Sequence, residues 1–173
     1  DHSRWLGLID KTYQLQRGNM PAEELEKLKR LEKFSSFYWY LHLYPQAIDI
    51  KKEEITILQK QLPQTRLEYL KALGELAYYL SLHKENRQSI ETYQHIIPLL
   101  SDDIEKEFEQ KLKYLKSLTR LFTGQDNYPL AIETLQSTLM LLKKKYPSRI
   151  KCLNSNQPCF GLWFQKKRKK AKP

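Results

Sequence analysis

The sequence predicts an all-α solenoid of three helix-turn-helix repeats. A short motif recurs at a constant interval of 42 residues, as Ala47-Ile48-Asp49, Ser89-Ile90-Glu91 and Ala131-Ile132-Glu133. The apolar residues around each motif follow the spacing of one helical face. Glycine is also scarce, with five in 173 residues. Recurrence at this length is typical of stacked helical units that bind other molecules.

The first helix of each repeat, helix A, has four apolar columns in the same register. Their spacing of three or four residues places them on one face. The columns are Leu28/Leu70/Leu112, Leu31/Leu73/Leu115, Phe34/Leu76/Leu118 and Tyr38/Leu80/Phe122. A small residue follows the third column each time, as Ser35, Ala77 and Thr119.

The second helix of each repeat, helix B, has three such columns. They are Ile48/Ile90/Ile132, Ile55/Ile97/Leu139 and Leu58/Leu100/Leu142. Pro45 and Pro129 occupy matching positions before them, where a proline in the first turn of a helix costs no hydrogen bond. The predicted repeats are therefore residues 25–66, 67–108 and 109–150, within a domain of residues 21–150.

A flanking helix is predicted for residues 1–20. Ser3 can cap its start and Gly18 can end it. The residues that share its apolar face are Trp5, Leu8, Ile9, Thr12 and Tyr13. We expect this helix to close the open end of the repeat stack.

The order large-large-small-aromatic in helix A, with a small residue twelve positions later in helix B, resembles the tetratricopeptide repeat (TPR) family. The first repeat shows the match as Leu31, Phe34, Ser35, Tyr38 and Ala47. The small pair is needed because the two helices cross closely there. The resemblance implies a right-handed α-solenoid. Family repeats are usually near 34 residues, and the longer interval here resembles the variant found in kinesin light chains and in some bacterial peptide-sensing regulators.

Patterns typical of enzymes are lacking in the sequence. The four histidines have no metal-ligand spacing, and there is no HExxH motif, phosphate-binding glycine loop or nucleophile elbow. We therefore expect no catalytic residue, no cofactor, no bound metal and no small-molecule substrate. Cys152 and Cys159 could close a small loop or supply two metal ligands, and free thiols in a reducing cytosol are the default.

The C-terminal extension, residues 151–173, is first apolar and then basic. The chain has a net charge of +10, and six of its cations lie at the end, as Lys166, Lys167, Arg168, Lys169, Lys170 and Lys172. This tail is a solvated end, a nuclear-localisation signal or a contact for phosphates of RNA, DNA or anionic lipid. The preceding segment Phe160–Phe164 is expected to cap the last repeat, or otherwise to insert into a partner.

No apolar run is long enough for a membrane span, and no signal-peptide pattern opens the chain. We therefore expect a cytoplasmic protein, or a nuclear one if the basic tail is an address.

A column of lysines follows the first leucine of each helix A, as Lys29, Lys71 and Lys113. In the family that this chain resembles, such positions point into a concave groove that binds extended peptides. The same side of helix A has Ser36, Trp39, Tyr78, Lys116 and Arg120. Together these residues predict binding of an acidic peptide, or of single-stranded nucleic acid stacked on the aromatic rings. The alternative is an ordinary solvated face.

The family's clamp for chaperone carboxylates is not matched. Glu32 and Ser36 stand where that clamp has a lysine and an asparagine, so capture of a chaperone terminus is not expected. The sequence thus predicts a non-catalytic scaffold or adaptor that binds a protein segment in the helix-A groove. The alternatives are an RNA- or DNA-associated component of a nucleoprotein assembly and a peptide-sensing module of a larger signalling protein.

Overall fold

The computed structural model describes residues 7–8, 11–15 and 24–147. Within these ranges every regular element is a helix, which confirms the all-α prediction. Residues 7–8 and 11–15 are helical. The remaining helices are α1 (Glu24–Tyr40), α2 (Tyr44–Lys60), α3 (Arg66–Leu82), α4 (Asn86–Ile96) with a 3₁₀ turn (Ile97–Leu99), α5 (Glu105–Gly124) and α6 (Tyr128–Lys145). As expected, Pro45 and Pro129 lie in the first turns of α2 and α6.

Several predicted features lie outside the described residues. They are the helix start and end at Ser3 and Gly18, the face residues Trp5 and Ile9, both cysteines, the apolar segment Phe160–Phe164 and the six tail cations.

The chain divides into two compact units, Asp1–Leu99 and Leu100–Pro173. In the first unit, α1 packs on α2, α2 on α3 and α3 on α4; in the second, α5 packs on α6. The core of the first unit includes Tyr38, Ile48, Leu76 and Leu80. Tyr13 joins this core, with its ring centroid 5.0 Å from that of Phe34.

The small residues of the repeat pattern lie where the paired helices meet. Ser35, Ala47, Ala77 and Ser89 are fully buried, and Ala131 is nearly so. Between α4 and α3 the contact is direct, because the Ser89 hydroxyl donates a hydrogen bond of 2.6 Å to the Ala77 carbonyl. Such close backbone approach leaves no room for a larger side chain.

The turn between the helices of each pair has one residue with left-handed backbone. These residues are His42, Lys84 and Asp126, with φ of 59°, 66° and 57°. The next N–H in each turn bonds at 2.9 Å to the carbonyl five residues earlier, that of Tyr38, Leu80 or Phe122. This pattern is the Schellman motif, in which the left-handed position usually belongs to glycine.

Replacing Lys84 with glycine is therefore expected to stabilise the chain. The change removes about 1–2 kcal/mol of strain from the left-handed backbone. It also gives the unfolded chain more conformational freedom, which lowers stability by about 0.5–1 kcal/mol. Urea denaturation should thus show a free energy of unfolding higher by about 0.5–1 kcal/mol. Lys52→Gly, at an exposed position inside α2, is the control and should lose about 1 kcal/mol. A loss for both variants would contradict the turn assignment.

The helix-B columns are buried to different degrees in the two units. Ile48 on α2 is 3% exposed, whereas Ile132 at the matching position of α6 is 54% exposed. The reason is the number of neighbours in each unit: α2 packs against both α1 and α3, and α6 packs against α5.

Candidate protein-interaction surface

The first unit presents five of the predicted groove residues on two helices. Lys29, Ser36 and Trp39 lie on α1, and Lys71 and Tyr78 lie on α3; all five are exposed. Helix α1 is oriented by the opposite face, where Leu31, Ser35 and Tyr38 are buried. We call the exposed face the α1–α3 surface and define it by Lys29, Glu32, Ser36, Trp39, Lys71, Glu75 and Tyr78.

One end of the α1–α3 surface is aromatic. The Trp39 ring lies 6.3 Å from that of Tyr78 and stacks on that of Tyr79, with centroids 6.4 Å apart and planes 17° apart. Trp39 and Tyr78 are 36% and 43% exposed, whereas Tyr79 is buried. Burial raises the pKa of the Tyr79 hydroxyl, and a hydrogen bond with Ser36 opposes that rise. The exposed Trp39 ring is therefore held in place by a buried tyrosine.

The other end of the surface is charged. The Lys71 ammonium lies 2.8 Å from Glu32 Oε1 on α1 and 3.8 Å from Glu75 Oε1. The hydrogen bond from Lys71 lowers the pKa of Glu32, and the same bond raises the pKa of Lys71. Lys71 is thus a paired cation, which weakens its attraction for an acidic partner.

A buried ion cluster lies beneath this charged end. Lys51 on α2 is fully buried, and its ammonium contacts Glu54 Oε2 at 2.7 Å and Glu75 Oε2 at 2.8 Å. Burial raises the pKa of Glu54. Burial alone would lower the pKa of Lys51, but the two carboxylates outweigh it and raise that pKa. Glu75 therefore connects the buried Lys51 to the surface Lys71.

A cavity of about 270 Å³ opens beside the cluster. Its lining includes Lys29 and Lys71 and four carboxylate side chains, those of Glu32, Glu54, Glu68 and Glu75. The α1–α3 surface is consequently mixed in charge, whereas the lysine column by itself had indicated a basic groove.

The sequence analysis did not predict the ion cluster around Lys51, although the repeat pattern contains an indication of it. Lys51 and Glu54 stand in columns where the second repeat has Tyr93 and Ile96, both of which are buried. A lysine and a glutamate three residues apart on an otherwise apolar helical face indicate a buried pair.

The second unit holds the other three predicted residues. Lys113, Lys116 and Arg120 are exposed on α5, and their spacing places them along one side of the helix. Leu115, Leu118 and Phe122 bury the opposite side. Within the described part of the chain, none of the three cations forms an ion pair. We call these three cations the α5 row; no carboxylate of the described residues forms an ion pair with this positive surface.

Membrane-spanning helices and clusters of candidate metal ligands are both absent from residues 7–8, 11–15 and 24–147. No helix there is both long and apolar enough to cross a membrane. In the same ranges, no three His, Cys, Asp or Glu side chains come together as candidate metal ligands.

Comparison with solved structures identifies the fold. Two crystal structures of a Podosopora anserina protein assigned as a kinesin light chain, one of them a point variant, contain nearly identical TPR-like repeats and are similar to this chain. Each has a TM-score of 0.65 and 16% sequence identity, over 84% of this chain and 69% of the other. The chain has a TPR-like repeat fold. No protein-family model and no curated protein matches the sequence.

Proposed function

We propose that this chain is a non-catalytic protein-interaction scaffold or adaptor that binds a partner segment on the α1–α3 surface. The observation that supports this most directly is the pair Trp39 and Tyr78. Both rings are large and partly exposed, and Trp39 is held in place by stacking on buried Tyr79. Tryptophan and tyrosine are enriched among the residues that dominate binding energy at protein interfaces.

A rigid aromatic pair suits a partner's apolar or aromatic side chain. Because Trp39 is already stacked, little side-chain entropy is lost when a partner covers it. At the charged end, a partner's carboxylate must compete with Glu32 for Lys71. We therefore expect the aromatic end to supply most of the affinity, with only weak selection by charge on this surface.

The α5 row extends the proposal to acidic partners. Among the described residues, Lys113, Lys116 and Arg120 have no ion pair to break, so they can attract a negatively charged segment without that cost. On this surface we expect charge to set partner preference and the rate of association.

We also propose that the repeats are of the long, 42-residue form, with units at 25–66, 67–108 and 109–150. The left-handed turn residues His42, Lys84 and Asp126 support this, because they recur at that same interval with the same hydrogen bonds.

The α1–α3 proposal can be tested with a random peptide library displayed on phage. Peptides selected on the parent chain are synthesised, and their affinities are measured by fluorescence anisotropy. Trp39→Ser/Tyr78→Ser is expected to weaken binding by more than about tenfold, since residues of this kind contribute about 2 kcal/mol or more.

The matched control for that test is Tyr40→Ser. Tyr40 neighbours Trp39 in sequence and is 74% exposed, and we expect its replacement to leave affinity unchanged. Thermal melts of all variants establish that they are folded. Equal affinity for the parent and a folded double variant would place the docking surface elsewhere.

A further inference from the structure

Helix α6 presents an apolar stripe to solvent. Tyr128, Ile132, Leu135 and Leu139 are spaced four, three and four residues apart, which aligns them along one face. They are 56%, 54%, 54% and 47% exposed. A contiguous apolar face of this kind is normally covered by another element or a partner.

The first unit shows what covers the matching stripe. Ile48 of α2 belongs to the core cluster that contains Leu76 and Leu80 of α3, and Ile55 packs against that cluster. Lys51, between them on the stripe, contacts Glu75 of α3. Helix B of one repeat is thus covered by the second half of the next helix A. In that half a large residue is followed directly by a small one and, three positions later, by an aromatic or another large residue.

The chain repeats this order after α6 in the same register. Phe160, Gly161 and Phe164 stand 42 residues after Leu118, Thr119 and Phe122. The distance along the chain is also similar, because Phe160 lies fifteen residues after Lys145 and Leu76 lies sixteen residues after Lys60. Asn154 and Gln157 replace the leucines of the first half, so only the second half of a helix A pattern is present.

We infer that Phe160–Phe164 docks on the α6 stripe as the partial first helix of a fourth repeat. By the register, Phe160 and Phe164 cover Ile132 and Leu135, in the first half of α6. Lys166 to Lys172 then lie beyond the α6 N-terminus, far from Lys143, Lys144 and Lys145 in its last turn. This direction keeps the two groups of like charges apart.

Register also identifies a pair of positions that must face each other. Cys159 corresponds to Glu75, and Leu135 corresponds to Lys51, the two residues whose side chains meet at 2.8 Å in the first unit. A thiol introduced at position 135 should therefore lie within reach of Cys159.

The test uses the full chain with Cys152→Ser and Leu135→Cys, treated with a short bismaleimide crosslinker. Mass spectrometry of the digested monomer should show the introduced thiol linked to Cys159. The matched control, Gln136→Cys, alters the exposed next residue on α6, which points away from the stripe. We expect the yield to be several-fold lower for Gln136→Cys than for Leu135→Cys.

A second arm removes the docking residues. Phe160→Ser/Phe164→Ser in the Leu135→Cys background should reduce the yield to that of the control, while circular dichroism stays unchanged. Equal yields for Leu135→Cys and Gln136→Cys would overturn the inference. A crosslinked dimer in place of the monomer product would also overturn it, since the stripe would then bind a second copy of the chain.

Discussion

Lys51→Met is expected to lower the free energy of unfolding by about 3–5 kcal/mol at neutral pH, because it leaves buried carboxylate charge uncompensated. Lys51 is fully buried and is the cation that Glu54 and Glu75 share, at 2.7 and 2.8 Å. Methionine fills a similar volume, so the loss arises from charge and not from a cavity. Urea denaturation at neutral pH measures it.

The cost should depend on pH in a defined direction. Burial raises the pKa of Glu54 above 4.5, and loss of Lys51 removes the cation that opposes this rise. A raised carboxyl pKa gives stability that is present below the unfolded-state value and is lost as pH rises through the folded-state value. The deficit of Lys51→Met should therefore be smaller at pH 5 than at pH 8. In the parent chain, the raised pKa of Lys51 keeps its contribution intact until the pH exceeds 10.5.

Two variants control this experiment. Lys52→Met changes the exposed neighbour of Lys51 and should alter stability by less than about 0.5 kcal/mol. Lys51→Met/Glu54→Gln removes the buried negative charge as well. It should restore part of the lost stability and remove most of the difference between pH 5 and pH 8. A deficit that is equal at pH 5 and pH 8 would contradict the assignment of the lost stability to ionisation of buried Glu54.

Ala131→Leu is expected to destabilise the second unit by about 1–3 kcal/mol through overpacking. Ala131 is 4% exposed on the face where α6 packs on α5. Three extra carbon atoms there must push the two helices apart or force side chains out of their preferred rotamers. A thermal melt and a urea titration both report the loss.

Glu133→Leu is the matched control, since it places the same side chain two residues away at an exposed position of α6. We expect it to change stability by no more than about 0.5 kcal/mol. If Ala131→Leu proves as stable as Glu133→Leu, the helices do not cross closely at Ala131.

The all-α repeat fold could be predicted from the sequence. The columns at Leu31, Tyr38 and Ile48 became buried because helical geometry alone decides which residues share a face. The small residues Ala77 and Ser89 indicated where the two helices cross, because a close contact between helices restricts the size of the side chains there.

The candidate surface could be predicted only in part. The exposed positions of Lys29, Trp39 and Tyr78 followed from their place on helix A. The pairing of Lys71 with Glu32 did not, because it joins residues 39 positions apart through two flexible side chains. The stacking of Trp39 on Tyr79 likewise depends on how α1 and α3 approach each other.

The sequence by itself determined the helices, the places of the turns and which residues share a helical face, since all of these follow from local periodicity and residue size. The tertiary structure alone decided which charges are paired and which apolar residues are covered. Lys51 is buried because α3 brings Glu75 to it. Ile132 is exposed because, among the described helices, α6 has no counterpart of the α3 that covers α2. Such outcomes depend on contacts between residues that are distant in sequence, which a local pattern does not encode.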